Sequence, residues 1–281
     1  MSGPLPLLPS EAAEAATMDA ADTAPQTRQS ILEGLRELGV REGSVLLVHS
    51  SLSALGWVCG GGVAVIQALL DALGERGTLV MPAHSGDLSD PSTWSYPPVP
   101  EGWWARIRQA MPAFEPAITP TRGIGRIPEL FRSWPGTLRS SHPQVSFAAR
   151  GPEAAAITGG HSLDYGLGPG SPLARLREAR ASVLHLGSGW ESTTAFHLAE
   201  HECEWPGKAE VALGSPLLRE GERAWTEYRD NNYNSDDFGA LGSDFERGGR
   251  VLRGGIGRAD CLLFDLGEAV EFAKEWLPSH R

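Results

Sequence analysis

The sequence predicts an α/β fold: a parallel-containing central sheet flanked by helices, with antiparallel additions and a long Trp/Pro-rich insertion. Three observations carry this reading. Two continuous apolar runs, Ser44-Val-Leu-Leu-Val-His49 and Gly77-Thr-Leu-Val-Met81, have the pattern of buried strands. The segment between them opens at Gly60-Gly61-Gly62 and places Val63, Ile66, Leu69, Leu70 and Leu73 on one helical face, which makes a βαβ unit with a parallel pair. Further runs, Val145–Ala149 and Ala181–Leu186, supply more strands of the same apolar kind.

The remaining elements follow from local chemistry. Residues 27–38 carry Ile31, Leu35 and Leu38 on one stripe and meet Gly39, a helix stop. Residues 86–122 are dominated by Asp, Ser, Pro and Trp, with Trp94, Tyr96, Trp103 and Trp104 close together; this excursion reads either as a wall or lid over a site or as an aromatic mini-core that fastens a loop. A helix is expected to start near Ser192 or Thr193, both good N-caps, and to run toward Cys203. Residues 209–228 alternate as a hairpin around Arg219-Glu-Gly-Glu222, residues 256–265 read as one strand, and 266–277 as a final amphipathic helix. Residues 1–26, rich in Ala, Pro, Thr and acids, read as a mobile tail, which leaves 27–281 as one α/β domain.

Composition narrows the function. The chain has 281 residues, 41% of them hydrophobic, enough for a substantial core. Its formal charge of −11 repels phosphate backbones and anionic bilayers, so a nucleic-acid or membrane-surface role is not expected, whereas cations would be attracted. Cys59, Cys203 and Cys261 are few and widely spaced, which offers neither a disulfide framework nor a CxxC zinc pattern and suits a reduced cytoplasmic compartment.

Four clusters could carry chemistry. His49 ends a buried strand at the end where parallel sheets bind ligands, with the hydroxyls of Ser50 and Ser51 beside it; it reads as a site base or as a hydrogen-bonded structural histidine. Gly60–Gly62 at the start of a helix would let backbone amides approach a phosphate, without matching either GxGxxG or GxxxxGK[ST]. In Thr193-Thr-Ala-Phe-His197-Leu-Ala-Glu200-His201, one helical face can join His197 to Glu200, a histidine oriented by a carboxylate, or to His201, a spacing used by metal ligands; a surface helix of charge pairs is the plainer alternative. Arg139-Ser140 precedes a strand, where a forked guanidinium can hold a phosphate. Asp164-Tyr165 and Asp236-Asp237 add acidic groups that could hold a polyamine or could simply form turns.

Taken in order, Val48–Gly56, Gly60–Gly62, Gly77–Pro82, Thr121–Pro128, Arg139–Pro143, Gly168–Leu173 and Thr194–Glu200 resemble the aminoglycoside 3-N-acetyltransferase family, an antibiotic N-acetyltransferase fold distinct from the GNAT enzymes. The likeness spans roughly residues 27–277. It implies transfer of acetyl from acetyl-CoA to the 3-amino group of a 2-deoxystreptamine aminoglycoside, with no metal required. By the same resemblance, His49-Ser50-Ser51-Leu52 with Gly61 and Gly62 would hold the pantetheine and pyrophosphate. Arg139 and Ser140 would lie near the nucleotide, His197 would be the general base, and Glu200 would orient it or the amine. His49 is carried over as a site histidine, either catalytic or thioester-positioning. Asp164, Tyr165, Asp236 and Asp237 are the acceptor-side candidates. No cysteine lies in these motifs to carry an acetyl group, so direct transfer is expected, with an oxyanion held by amides at Gly187–Gly189 or at the His49 turn. A different amine acceptor, a CoA-binding or antibiotic-sequestering protein and a metallohydrolase on His197 and His201 are the competing readings, and a homodimer is compatible with all of them.

Overall fold

The computed structural model describes residues 24–95 and 97–281, with Ala15 and Met18. Most of the expected tail therefore lies outside the described residues, as does Tyr96. Gln26, assigned to that tail, is bridged to Val58: its N–H donates to Trp57 O at 2.9 Å and its carbonyl accepts from Cys59 N at 2.8 Å.

Helix α1 (Arg28–Leu38) begins in a capping box, in which Thr27 Oγ1 accepts from Ser30 N and Ser30 Oγ accepts from Thr27 N, and it ends at left-handed Gly39. Strand β1 (Val45–Ser50), helix α2 (Gly61–Leu73) and strand β2 (Thr78–Pro82) form the expected unit, with β1 and β2 parallel in the register Val45↔Thr78. Helices α3 (Trp104–Ala110) and α4 (Arg126–Arg132) precede β3 (Leu138–Arg139) and β4 (Phe147–Arg150), and β4 runs antiparallel to β2. After α5 (Ala154–Thr158) and α6 (Pro172–Glu178), β5 (Ser182–Leu186) returns parallel to β1 and leads into α7 (Ala195–Glu202).

Strands β6 (Glu210–Arg219) and β7 (Glu222–Asn231) make the predicted hairpin, separate from the main sheet. Helix α8 (Phe238–Arg247), strands β8 (Val251–Ile256) and β9 (Ala259–Asp265), and helix α9 (Leu266–His280) complete the chain. The main sheet runs β3-β4-β2-β1-β5-β9-β8. Three parallel strands thus sit at its centre, with antiparallel pairs at both edges.

Two local expectations fail for physical reasons. The single strand read over 256–265 is the hairpin β8–β9 turning at Gly257-Arg258; β8 hid because Arg253-Gly254-Gly255 on an exposed edge breaks the apolar pattern. Helix α7 starts at Ala195, with neither Ser192 nor Thr193 capping it, because the Thr193 and Thr194 hydroxyls turn instead to His185 and His49.

Period-two alternation covers both faces of the sheet. Leu47 and Val183 point into the layer of α5–α9, while Leu46, Val48 and Leu184 point into the layer of α1, α2 and α4. Each fully buried side chain of this kind contributes roughly 1.5–3 kcal/mol by leaving water. His49 and His185 continue the Leu47–Val183 row, so both imidazoles lie on the α7 side, while Ser50 faces the other layer. The 86–122 segment is fastened to the β6–β7 hairpin: Phe114 N donates to Pro216 O, Ser215 Oγ to Leu88 O, and Arg223 Nε to Met111 O at 2.8 Å. Trp94 donates to Ser89 Oγ and Trp103 is exposed, so among the described residues these tryptophans form no shared stack.

Trp190, after β5, stacks on Phe196 of α7 and meets Phe245 of α8 and Phe264 of β9. Gly242 of α8 lets it in: a Cβ there would lie 2.1 Å from the indole. Gly242→Ala is expected to destabilise the protein by about 1–3 kcal/mol through overpacking, read as a lower urea midpoint with unchanged m-value. Burial also holds three core histidines neutral, with pKa values of about 4 for His142 and about 3 for His161 and His185. In the unfolded chain these imidazoles protonate near 6.5, so between 6.5 and roughly 4 the unfolded state binds more protons and stability falls as pH falls. About 2 kcal/mol per histidine is lost by pH ~5. Denaturant titrations at pH 7 and 5 should show that loss, and His185→Phe should reduce it.

Candidate active site

The parallel strands β2, β1 and β5 end side by side, and the candidate site is built at those ends. His49 is the penultimate residue of β1. His84 lies two residues past β2, and Gly187-Ser188-Gly189 follows β5. The turn before α7 brings Thr193 and Thr194 to His185 and His49, and α7 itself carries His197.

His49 is buried, with Nε2 at 3.4 Å from Thr194 Oγ1 and its ring edge-on to His185 at 5.4 Å. Desolvation, reinforced by His185 and His84, holds its pKa well below the ordinary histidine value. It is therefore a neutral hydrogen-bonding group at physiological pH. His185, bonded through Nε2 to Thr193 Oγ1 at 3.1 Å, is its structural neighbour.

His197 and Glu200, one turn apart on α7, form the central pair. His197 Nδ1–H donates to Glu200 Oε2 at 2.5 Å, which leaves Nε2 to present its lone pair. The ring packs between Tyr233 and Phe238, with centroids 4.9 and 4.8 Å away. Glu200 is completely buried. Its other oxygen accepts from Asn234 N at 3.1 Å and from the guanidinium of Arg281, just past α9. Arg281 also forms a bidentate pair with Asp237 at 2.6 and 2.8 Å and lies 4.5 Å over the Trp205 ring. Burial pulls the Arg281 pKa down, but the hydrogen bonds from Asp237 and Glu200 outweigh it and raise the pKa overall.

His84 connects the two predicted histidines. Its Nε2 is buried without a protein partner, and its ring stands edge-on to Phe147 at 5.5 Å. Desolvation, then the charges of His197, His142 and Arg139, bring its pKa to about 3, and its own charge is felt at His49. His49, His84 and His197 therefore share one electrostatic neighbourhood. Sequence reasoning missed His84, although the strand-end rule that picked out His49 applies equally to Pro82-Ala-His84.

Ser50 Oγ is buried without a partner on the opposite face of the sheet, Ser51 Oγ lies 3.3 Å from Ser53 Oγ, and Leu52 packs on the α1–α2 core. Gly61 faces open space at the start of α2, and Gly62 packs near Leu130 and Ile127. Asp164 accepts from Arg229 N at 2.9 Å, and the Tyr165 hydroxyl bonds Glu210. A relay of rings leads from Tyr165 through His201 (5.6 Å) and Tyr233 (5.5 Å) to His197. His201 is committed to that relay, with Nε2 on Tyr233 Oη and Nδ1 on Asn231, so it does not share a ligand with His197. Asp236 is exposed just before α8.

Three placements differ from the roles the sequence suggested. Arg139 spends its donors inside the fold, on Ala83 O, Thr119 O, Pro116 O, Ser146 Oγ and Ser85 Oγ, so it braces the segment leading to His84 and has no fork left for a phosphate. Burial, with Arg132 adding to it, lowers its pKa to about 10. Ser140 is likewise internal, with Oγ accepting from Phe147 N and bonded to His161 Nδ1 at 2.9 Å. Asp237 is neutralised by Arg281, so an incoming amine does not find it free.

The sequence pattern of the family described as aminoglycoside 3-N-acetyltransferase matches residues 47–278. The aminoglycoside N(3′)-acetyltransferase-like protein YokD of Bacillus subtilis is 48% identical over 255 residues, covering 90% of this chain and 93% of its own. Aminoglycoside N(3)-acetyltransferase IX of Micromonospora chalcea is 36% identical over 268 residues, covering 90% and 94%. The YokD crystal structure superposes with a TM-score of 0.90 at 47% identity, over 92% of this chain and 95% of that one. The AAC-IIIb binary complex with CoASH gives 0.81 at 33% identity (90% and 97% covered), and AAC-VIa bound to sisomicin gives 0.83 at 33% identity (92% and 99% covered). With most of its length matched in sequence and in fold, this chain belongs to the aminoglycoside 3-N-acetyltransferase family.

Proposed function

We propose that the protein transfers the acetyl group of acetyl-CoA to the 3-amino group of a 2-deoxystreptamine aminoglycoside, with His197 as general base. The observation that carries the reading is the His197–Glu200 pair, whose carboxylate is buried and whose imidazole offers a free Nε2 at the ends of the parallel strands. A protonated amine is no nucleophile. The ammonium first loses one proton to solvent; His197 Nε2 takes the second as the neutral nitrogen attacks the thioester carbonyl, the C–N bond forms, the C–S bond breaks, and the leaving CoA thiolate takes up that proton from the imidazolium. Glu200 stabilises the imidazolium in between.

His49, neutral and buried beside Thr194, is assigned to hydrogen-bonding the thioester carbonyl, and His84 Nε2 to a second polar atom of the bound reactants. Direct transfer is supported by the thiols: desolvation raises the pKa of half-buried Cys203 and brings that of Cys261 to about 11, so neither is an activated nucleophile. The surplus of carboxylates suits a polycationic acceptor, the class that sisomicin represents in its complex with AAC-VIa. All three cysteines are free, in keeping with a reducing cytoplasm where acetyl-CoA is made.

Thiol release from acetyl-CoA, measured against kanamycin-, gentamicin- and neomycin-class acceptors with the acetylated position read by NMR, tests the assignment. Tight CoA binding without thiol release would leave only a sequestering role. His197→Ala is expected to lower kcat by about 10² or more, and His49→Ala by a similar factor, with unchanged circular dichroism. Parent-like turnover by His197→Ala would end the general-base assignment. His84→Phe keeps the ring and removes both nitrogens; it should lower kcat/KM about tenfold while Tm holds or rises, because an unsatisfied buried nitrogen has been removed.

A further inference from the structure

Arg281 lies beyond residues 47–278, the stretch matched by the family pattern, yet its side chain is only 6% exposed and reaches the oxygen of Glu200 that His197 does not use. Its fork is fully directed. Nη1 donates to Glu200 Oε1, Nε and Nη2 make the bidentate pair with Asp237, and Nη2 also donates to Asn234 O at 2.6 Å. Asn234 N returns a bond to the same Glu200 oxygen at 3.1 Å. Trp205, whose ring lies 4.5 Å from the guanidinium, donates Nε1 to Glu200 O at 3.3 Å. The cation is thus held on one carboxylate oxygen by three separate segments of chain.

Charge balance shows what that contact does. Glu200, Asp237 and Arg281 together carry one net negative charge, which a single imidazolium at His197 balances. Without Arg281, two carboxylates would share the group with that imidazole. In a site with little water the surplus anion would hold the proton on His197 and slow its release. The other titratable groups beside the pair supply no compensating charge: Tyr233 before α8, His84 past β2 and Cys203 at the end of α7 are all held uncharged at neutral pH by burial. His201 and Asp230 lie behind Tyr233, bonded to its hydroxyl. Lys208 is engaged by the carbonyls of His201 and Cys203 and by Glu204.

We infer that Arg281 is a positioning residue that sets how readily His197 gives up its proton: by holding one oxygen of Glu200, it leaves that carboxylate enough charge to orient the imidazole and too little to trap the imidazolium. The inference rests on the general-base reading of His197 and adds the group that tunes the base. Arginine suits this place because one planar fork reaches Glu200 Oε1, both Asp237 oxygens and the Asn234 carbonyl at once, and its charge persists at any working pH.

Two readouts on the intact chain test this: the imidazole titration of His197, followed by NMR and assigned by its loss in His197→Gln, and the acid limb of kcat/KM for acetyl transfer against pH. The acceptor's own titration is common to parent and variants, so the difference between them reports the enzyme. Arg281→Met keeps the stem and removes the charge; both readouts should move to higher pH by about one unit, and kcat at neutral pH should fall about tenfold. Arg281→Lys keeps the charge and should bring both back toward the parent, whereas Asp237→Asn removes the competing anion and should move them to lower pH. Guanidinium at millimolar concentration should restore Arg281→Ala, and urea, its uncharged isostere, should not. Melting temperatures monitor folding, and where Arg281→Met does not fold, Asp237→Asn decides by itself. A His197 titration that stays in place in the folded variants, whatever happens to kcat, would overturn the inference. A titration that moves as expected while acetyl transfer does not follow it would overturn the general-base reading instead.

Discussion

The site depends on a carboxylate that water does not reach. Glu200 is fully buried, and an unpaired ion there would cost several kcal/mol. It is tolerated because His197, Asn234 N and Arg281 occupy its oxygens. Much of the surrounding structure follows from that requirement. Arg281 must reach the carboxylate from the end of α9, so α9 packs along α7; the rest of the Arg281 fork is met by Asp237 at the start of α8, and its flat face by Trp205. Three helices are thus fixed relative to one another by a single anion, and the gain is an imidazole with defined tautomer and orientation. Buried pairs of this sort rarely add net stability, so their presence points to a positioning role.

A second compromise sits at the start of α7. Thr193 and Thr194 are the residue types that cap helices, and a lost cap costs about 1 kcal/mol. Both hydroxyls instead face histidines of the sheet, Thr193 to His185 and Thr194 to His49. The helix gives up some local stability so that the β1 and β5 imidazoles have partners. Where a local rule is broken and the lost energy is recovered by contacts to strand-end histidines, the fold and the site have been built from the same atoms.

Much of this was legible in the amino-acid order, and the parts that were not share a cause. The βαβ unit, the β6–β7 hairpin and the His197–Glu200 pair each rest on spacing within one element or between neighbours, and spacing is visible in a string. The strand-end rule found His49 and would have found His84 had it been applied after Pro82. Arg281 could not be found that way, because it meets Glu200 across 81 positions and lies outside every motif. Arg139 shows the opposite error. An Arg-Ser pair before a strand has the chemistry of a phosphate site, but what decides its role is the carbonyls of Ala83, Pro116 and Thr119, which the chain brings in from elsewhere. Strand β8 was hidden because its glycines and exposed arginine lack apolar alternation, and it is held instead by its pairing with β9.

The distribution of charge connects these points to substrate capture. Near the centre, the carboxylates of Glu200 and Asp237 share the single guanidinium of Arg281, which leaves this trio negative, while the histidines His49, His84, His142, His161 and His185 are held uncharged by burial. The centre therefore shares the negative sign of the whole chain, whose net charge is −11. A polycation approaching such a surface gains from long-range attraction, and the guanidinium that Glu200 and Asp237 share limits how tightly either carboxylate would hold an ammonium in its protonated form. In the proposed reaction the acidic exterior would supply the encounter rate and the His197–Glu200 pair the base, and the carboxylates open to an amine are set by which ones the fold has already engaged.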